Sequence, residues 1–408
     1  MATPGALPDL PTPDTCVQCG LCLPYCPTFR LTGNESYSPR GRLAAMSAVI
    51  HGDAPVDAEY DDALSSCLGC RACEAVCPGL VPYGAAYEVA IADLADRRPT
   101  QARKVRRWVL GRGIASTTRV MLATRIAAVA QRLHIAKILP GLARRGLTGL
   151  RRLEPGRAPW KGRVARPVGE PKGSVALLSG CVMDAWFGPV HDATVGVLVR
   201  AGYEVVAPES QTCCGALAAH DGHRAEAQAL AARNVDAFAD FDIVVSNSAG
   251  CTAHLKEYDH WTQTHGSLNP AVVDATEFIA QLIADGSLPR FDSARRPGPD
   301  VAMQDPCHLR HAQRITSAPR TLVAAAGCAP VEIDNRGLCC GAAGVYSVLQ
   351  PSMSEDLGLQ KADQVHASGA RVVASANPGC EMQLRTYVDR GIRIVHPVEL
   401  YWERLSAD

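Results

Sequence analysis

Residues 16–27 read CVQCGLCLPYCP and residues 67–78 read CLGCRACEAVCP. Each run is C-x2-C-x2-C-x3-C-P. The two-residue gaps let a tight loop wrap three thiolates around one 4Fe–4S cube, while the fourth cysteine, set before proline, serves a second cube. The spacing assigns Cys16, Cys19, Cys22 and Cys77 to one cluster, and Cys67, Cys70, Cys73 and Cys26 to its partner. Paired C-x-x-C units also make structural zinc sites. Two complete four-cysteine runs, each closed by Cys-Pro, point to iron instead.

A second pattern is less ordinary. QTCCGALAAHDG (211–222) and GLCCGAAGVYS (337–347) each set two cysteines side by side before a glycine. A disulfide between neighbours is strained, and two small thiols give little packing. The wider context explains them. Cys181, Cys213, Cys214 and Cys251 recur as Cys307, Cys339, Cys340 and Cys380, three of them at an offset of 126 residues and the last at 129. Four cysteines repeated in order mean an internal duplication. A further cluster or redox site at these eight cysteines is the favoured reading, with redox-active thiols next and plain burial last. Cys328 falls outside every set and reads as a buried, inert thiol.

Sulfurs so distant in the chain need a fold that gathers them. SVALLSGC, DIVVSNSAGC, DVAMQDPC and RVVASANPGC each run from a short apolar strand straight into cysteine, and both Cys-Cys-Gly loops follow strand-like segments. Helical stretches such as HRAEAQALAARNVDAFAD lie between them. Strands alternating with helices predict a mainly parallel sheet, whose carboxyl-end loops gather along one edge. Each unit then delivers four sulfurs to one crevice, with Gly215 and Gly341 permitting close backbone approach. His308 and His311 follow Cys307, and the first unit has no histidine in the matching places. They could bond a cluster sulfur, assist proton-coupled quinone reduction, or play a structural or surface part.

Between the two ferredoxin-type runs, SPRGRLAAMSAVIHGD places Leu43, Met46 and Ile50 at helical spacing, and YGAAYEVAIADLADRR reads as another helix. Arg40 and Arg42 either screen the negative clusters, dock a partner, or sit on solvated surface. From Arg97 to Arg166 the chain carries nineteen Lys/Arg and one acid, Glu154, leaving 22 basic and 40 acidic residues elsewhere in a chain of zero net charge. Within this basic middle Leu122, Ile126, Val129 and Leu133 share one helical face, flanked by Arg125 and Arg132 on one side and Arg119 and Lys137 on the other. That pattern suits a helix lying on anionic lipid, and equally one packed on its own protein or on an acidic partner. Residues 154–173, with four prolines and four glycines, read as a linker.

The bulk numbers set bounds. The 408 residues, 47% hydrophobic and 20% charged, describe a multidomain globular protein. The first fifteen residues lack a basic start and an apolar run, so no secretory signal is expected, and no stretch has the length of apolar sequence that spans a bilayer. Seventeen cysteines suit a reducing compartment, hence the cytoplasm. GRGIAS (111–116) lacks the βαβ setting of a dinucleotide site, and nothing suggests a nucleic-acid partner. The expected architecture is α+β and multidomain: a helical ferredoxin domain with two 4Fe–4S clusters (1–96), a basic helical connector and linker (97–173), and two α/β cysteine-rich units (174–295 and 296–408).

These residues resemble the cysteine-rich CCG domain family, which includes heterodisulfide reductase subunits. A double ferredoxin fused to two such units is similar to the iron–sulfur subunits of glycolate oxidases. The resemblance covers nearly the whole chain and rests on CVQCGLCLPYCPTFRLTG, SPRGR, CLGCRACEAVCP, DPCHLRHAQRI, LCCGAAGVYSVLQP and SANPGCEMQL. It implies an electron-transfer subunit with no catalytic residue of its own, working with FAD-bearing subunits that oxidise glycolate to glyoxylate and passing electrons toward a quinone or similar acceptor. It also implies a peripheral position at the inner face of the membrane. Subunits of glycerol-3-phosphate and lactate dehydrogenases share the layout, and a heterodisulfide reductase-like catalytic role is a further reading. Heterodisulfide reductase units close each motif with C-x-x-C. Here Ser248 and Asn377 stand three residues before Cys251 and Cys380, and His254 and Gln383 three after. With four sulfurs per unit, an ordinary cluster, a quinone-facing thiol site or no metal are the open readings.

Overall fold

The computed structural model describes residues 13–135, 147–154, 156–261, 268–292, 297–334 and 336–407. Lys137 lies outside them. The first region is helical, with no strand among its described residues. Its helix Pro39–His51 starts where Ser38 Oγ accepts from Gly41 N at 3.0 Å and proline occupies the first turn. Leu43, Met46 and Val49 bury against Leu64 and Tyr87. Val49 thus takes the buried place expected of Ile50, which is half-buried. Helix Tyr83–Arg97 closes this core with Ala86, Ile91 and Leu94.

Two sheets follow. The first orders its strands β1-β3-β2-β4-β5, with β1 Val164–Ala165, β2 Gly173–Leu177, β3 Tyr203–Val206, β4 Ile243–Ser246 and β5 Ala271–Asp274. The second orders β7-β6-β8-β9, with β6 Asp300–Gln304, β7 Ala329–Glu332, β8 Val372–Ser375 and β9 Arg393–Val395. All pairings are parallel except β1 with β3. The two β3-β2-β4-β5 and β7-β6-β8-β9 arrays have one topology, as the duplication requires. Alternate residues of β2 and its continuation feed opposite cores: Val175 and Leu177 pack with Leu198 and Ile279, whereas Ala176 and, just past the strand, Leu178 pack with Leu230 and Phe238. Each sheet face is therefore covered by helices, which is why the strands read as continuous apolar runs.

The two units share a core. Val398, Tyr401 and Leu405 of the last helix, Pro397–Leu405, and Leu322 of helix Ser317–Ala325 pack with Val197, Leu198 and Ile279 of the first unit. Residues 160–165 do not behave as a free linker. Trp160 is buried in that same core, its N–H donates to Asp184 Oδ1 at 2.6 Å, its Nε1 donates to Asp192 Oδ1 at 2.8 Å, and β1 adds an antiparallel edge.

Helix Thr117–Arg132 of the basic middle lies on the first unit through its less obvious face. Val120, Thr124 and Ala128 are buried, and Trp186 Nε1 donates to Thr124 Oγ1 at 2.8 Å. The apolar stripe points away: Leu122 is 59% exposed, Ile126 67%, Val129 52% and Leu133 67%. The described residues therefore leave that stripe uncovered. No helix among the described residues is long and apolar enough to cross a membrane.

Candidate iron–sulfur centres

The first cysteine run forms loops and short turns around a cavity. Cys16, Cys19, Cys22 and Cys77 line it, together with Cys73, Leu43 and Tyr83. Burial pushes the Cys22 thiol up to about 11, and the neighbouring charges of Cys16, Cys26 and Cys19 add to the effect. Thiols that crowd one cavity in this way cannot all ionise without a cation between them. A cavity walled by sulfur and hydrocarbon fits an iron–sulfur cube in donor chemistry. Among the described residues no three His, Cys, Asp or Glu side chains form a group suited to one bare ion.

Cys26, Cys67, Cys70 and Cys73 gather on the inner side of this region. Burial, then the charges of Cys70, Cys67 and Cys26, push the Cys73 thiol well up. Donors face the sulfurs: Gly69 N lies 3.4 Å from Cys67 Sγ and Tyr83 Oη lies 3.4 Å from it. Arg42 is the surprise. It is fully buried, with Nε donating to Ala63 O at 2.7 Å, Nη2 to Thr28 Oγ1 at 3.0 Å and Ser66 Oγ at 2.8 Å, and Nη1 facing Cys26 Sγ at 3.9 Å. Burial disfavours its charge, yet Cys67, Tyr83 and Cys26 around it hold it protonated. Arg40, by contrast, reaches the surface and pairs with Glu35 at 2.5 Å while Nη1 donates to Gln18 O at 3.0 Å. Arg42 thus faces the inner set, and Arg40, partly exposed, lines the cavity of the first set.

In the first cysteine-rich unit Cys181, Cys213 and Cys214 come from the loops after β2 and β3, and Cys251 from the first turn of helix Ala249–Lys256, which follows β4. Cys181 and Cys213 sulfurs lie 3.3 Å apart, and those of Cys214 and Cys251 3.2 Å apart. The hydrogen bond from Cys181 holds the Cys213 thiol low, so it ionises first. In the second unit Cys307, Cys339, Cys340 and Cys380 follow β6, β7 and β8 in the same way, and all four are buried. Asn377 Nδ2 donates to Cys380 Sγ at 3.5 Å, and hydrogen bonding from Cys339 lowers both Cys307 and Cys340. Gly215 (φ +92°) and Gly341 (φ +87°) take the left-handed conformation after each cysteine pair. A Cβ on Gly341 would meet Ser354 O at 2.8 Å, which explains the repeated Cys-Cys-Gly. Cys328 is half-buried against the core, away from both sets.

The sulfur sets are neighbours. Cys70 of the helical region packs in one apolar cluster with Leu68, Cys307, Cys339, Tyr346 and Leu357, and after burial the charge of Cys307 is what most raises the Cys70 thiol. Beside this contact lies a pocket lined by residues from all three regions, including Glu88, His220, His254, Glu257 and His308. His220 Nδ1 lies 3.1 Å from a Glu88 carboxylate oxygen, and His220 keeps that carboxyl below its usual range against the pull of burial. Arg71 bridges Glu74 at 2.8 Å and Glu257 of the first unit. His308 Nδ1 stands 3.5 Å from Cys307 Sγ, whereas His311 Nε2 is tied to Gly337 O at 2.9 Å and is structural. Burial takes His254 down to about 4, so its ring is neutral. His220 and Glu88 carry no signal in the sequence, because only the fold brings them together.

The comparisons agree with this division. The cysteine-rich domain model matches residues 175–256 and 301–385, and the 4Fe–4S dicluster domain model matches residues 13–81. The probable glycolate oxidase iron–sulfur subunit of Bacillus subtilis (strain 168) is 34% identical, over 95% of this chain and 93% of its own length. The glycolate oxidase iron–sulfur subunit of Escherichia coli (strain K12) is 28% identical, over 93% of this chain and 92% of its own. Lactate utilization protein A of Bacillus subtilis (strain 168) is 28% identical over 55% of this chain and 98% of its own length.

Proposed function

The chain belongs to the family of glycolate oxidase iron–sulfur subunits, and from that premise we propose that it takes electrons from a flavin-bearing partner that oxidises glycolate to glyoxylate and delivers them to a quinone. Its broader role is that of the family: an iron–sulfur, electron-transferring subunit of a hydroxy-acid dehydrogenase, with several iron–sulfur centres. In this reading Cys16, Cys19, Cys22 and Cys77 hold one cube and Cys67, Cys70, Cys73 and Cys26 the other. Each cysteine-rich unit holds a further centre on its four sulfurs. Such clusters, when bound, supply one-electron transfer without exchanging protons.

The packing of Cys70 against Cys307 carries the relay, because it brings the inner sulfur set and the second unit together in one buried apolar cluster. Arg42 opposes the negative charge of the inner set, and the N–H groups of Gly69 and Asn377 face Cys67 and Cys380. A quinone also needs two protons. The Glu88–His220 pair in the pocket beside Cys307 and His308 supports a proton-coupled acceptor there. Access from the bilayer fits the exposed Leu122, Ile126, Val129 and Leu133 stripe, whose flanking Arg119, Arg125 and Arg132 suit anionic lipid at the cytoplasmic face.

Co-purification of the native complex tests this reading. Dye reduction is expected with glycolate, with reduction of a short-chain quinone to match. Activity with lactate or glycerol 3-phosphate and none with glycolate would reassign the substrate. Disulfide reduction by this chain without a flavin partner would replace the relay with a catalytic role.

A further inference from the structure

The four sulfur sets differ in how near they come to solvent. The cysteines of the two repeated units are buried or half-buried, and so are Cys26, Cys67, Cys70 and Cys73 of the inner set. Cys19 of the outer set is exposed, alone among the seventeen cysteines. More than sulfur is left in the open around it. Val17 is 77% exposed, Leu21 57% and Leu80 75%, and among the described residues of the helical region no other large apolar side chain is left exposed. Val17 and Leu21 belong to the first cysteine run and Leu80 follows the second, yet they gather at one cavity. Val17 and Leu21 line it beside Cys16, Cys19 and Cys77, as does Gly79, the neighbour of Leu80.

Leu80 is held there against its preference. Its N–H donates to Cys77 O at 3.2 Å, and the turn sets it at φ +50°, a left-handed conformation that leucine rarely adopts. Strain of this kind gathers at functional sites. An apolar centre with a polar rim, here Gln18 and the Arg40–Glu35 pair, is the anatomy of a protein interface. A quinone is the wrong occupant. Its reduction takes up two protons, and the described residues lining the cavity include no carboxylate and no histidine to supply them.

We infer that Val17, Leu21 and Leu80 form the surface on which the flavin-bearing partner docks, and that electrons enter the chain at the outer set beneath it. The inference rests on the reading of this chain as an electron relay. Each glycolate oxidised yields two electrons and two protons. The protons are released on the partner's side, and the electrons cross one at a time, because a 4Fe–4S cube carries one. Cys73 of the inner set lines the same cavity, so the next step is short. From there Cys70 meets Cys307, whereas the cysteines of the first unit pack in an apolar cluster that holds no residue of the helical region. The order is outer set, inner set, second unit, first unit.

Purification of the native complex through a tag on this chain tests the surface, with FAD bound per chain as the readout of docking. Val17→Asp with Leu21→Asp should carry about tenfold less FAD than the wild type, because a carboxylate set against an apolar partner is left without hydration. Leu80→Gly should also lose FAD, and glycine suits φ +50° better than leucine, so that loss is no folding defect. In both variants dithionite should still reduce the two ferredoxin-type clusters, and glycolate should no longer do so. Full FAD content with glycolate-driven cluster reduction in the double variant overturns the surface. So does a double variant that keeps its FAD but loses stability, which assigns the patch to residues 1–12 of this chain, outside the described residues. A wild-type dimer of this chain that the double variant breaks, with FAD retained, assigns it to a second copy and overturns the surface too. A wild-type complex whose flavin is reduced by glycolate while its clusters stay oxidised overturns the relay, and electron entry at the outer set with it.

Discussion

The two cysteine-rich units are copies in sulfur and strand order, yet their surroundings have diverged. The backbone before each cysteine pair is held differently. In the first unit Asn234 Oδ1 accepts from Thr212 N at 2.8 Å, and its amide donates to Cys213 O at 3.1 Å. In the second, Asp334 accepts from Leu338 N at 2.6 Å and pairs with the buried Lys361 at 2.7 Å. A neutral amide has been exchanged for an ion pair, and Lys361 is among the groups that lower Cys340. The second unit also touches the helical region through Cys307, while the first carries the basic helix at Trp186. Duplication preserved the sulfur cage, and divergence set what each cage faces. Cluster potentials answer to charge, hydrogen bonds and burial, so identical cages in these settings do different work.

The strongest way to break the comparison is to remove one sulfur from each copy. With electrons entering at Cys70, Cys307→Ser should leave the first-unit centre oxidised when the complex is mixed with substrate, and quinone reduction should be lost. Cys181→Ser should also stop quinone reduction but leave the second-unit centre reducible. Freeze-quench EPR separates the two, and equal behaviour of both variants would end the proposed order. A smaller effect is expected at Arg42, which faces the inner cluster set on the side that meets the second unit. Arg42→Gln removes a buried positive charge and one of the two donors to Ala63 O, leaving only Ser66 Oγ. The potential of that cluster should fall on the order of 60 mV, one tenfold step for a one-electron couple. Stability should fall by roughly 3 kcal/mol, as for other broken buried networks. An unchanged potential in a redox titration would make Arg42 a structural residue only.

Much of this was legible in the cysteines. Their spacing and the 126-residue offset define two kinds of site, and apolar strands running into cysteine define the parallel sheets. What was hidden depends on distant residues. From sequence Arg42 reads equally as a cluster-screening, a partner-docking or a surface cation, and only Ala63, Thr28 and Ser66 closing over it decide. Trp160 sits among prolines and glycines that read as linker, and only Asp184 and Asp192, more than twenty residues on, anchor it. The stripe of Leu122, Ile126, Val129 and Leu133 was visible, but amphipathic spacing does not say which face meets the protein.

That stripe distinguishes the first unit, which alone carries it. Leu122→Asp with Ile126→Asp should reduce binding to anionic vesicles roughly a hundredfold, from about 3 kcal/mol of lost apolar burial. Both side chains are exposed, so stability should stay within about 0.5 kcal/mol. Vesicle flotation of the full chain measures the first effect and urea unfolding the second. Unaltered flotation would assign the stripe to another partner.

The finest contrast lies at the helix that follows the last strand of each unit. Asp274 caps helix Ala275–Ala284 after β5, with Oδ1 accepting from Thr276 N at 2.9 Å, and His396 caps helix Pro397–Leu405 after β9, with Nδ1 accepting from Val398 N at 3.2 Å. Burial raises Asp274 to about 6 and lowers His396 to about 3, so both caps are neutral near pH 5. Their contributions to stability run in opposite directions. Native Asp274 holds a proton that the unfolded chain has released, so its contribution is complete below about pH 4 and is lost as pH rises through 6. Native His396 refuses a proton that the unfolded chain binds, so its contribution is complete above about pH 6.5 and is lost as pH falls toward 3. Asp274→Asn keeps a capping oxygen without the charge, and should gain on the wild type by about 2 kcal/mol between pH 4 and 7. His396→Asn should gain on the wild type in the other direction, as pH falls from 7 to 4. Denaturant titrations of the three proteins at each pH measure these differences directly, and curves that run parallel would mean that neither cap is sealed from water.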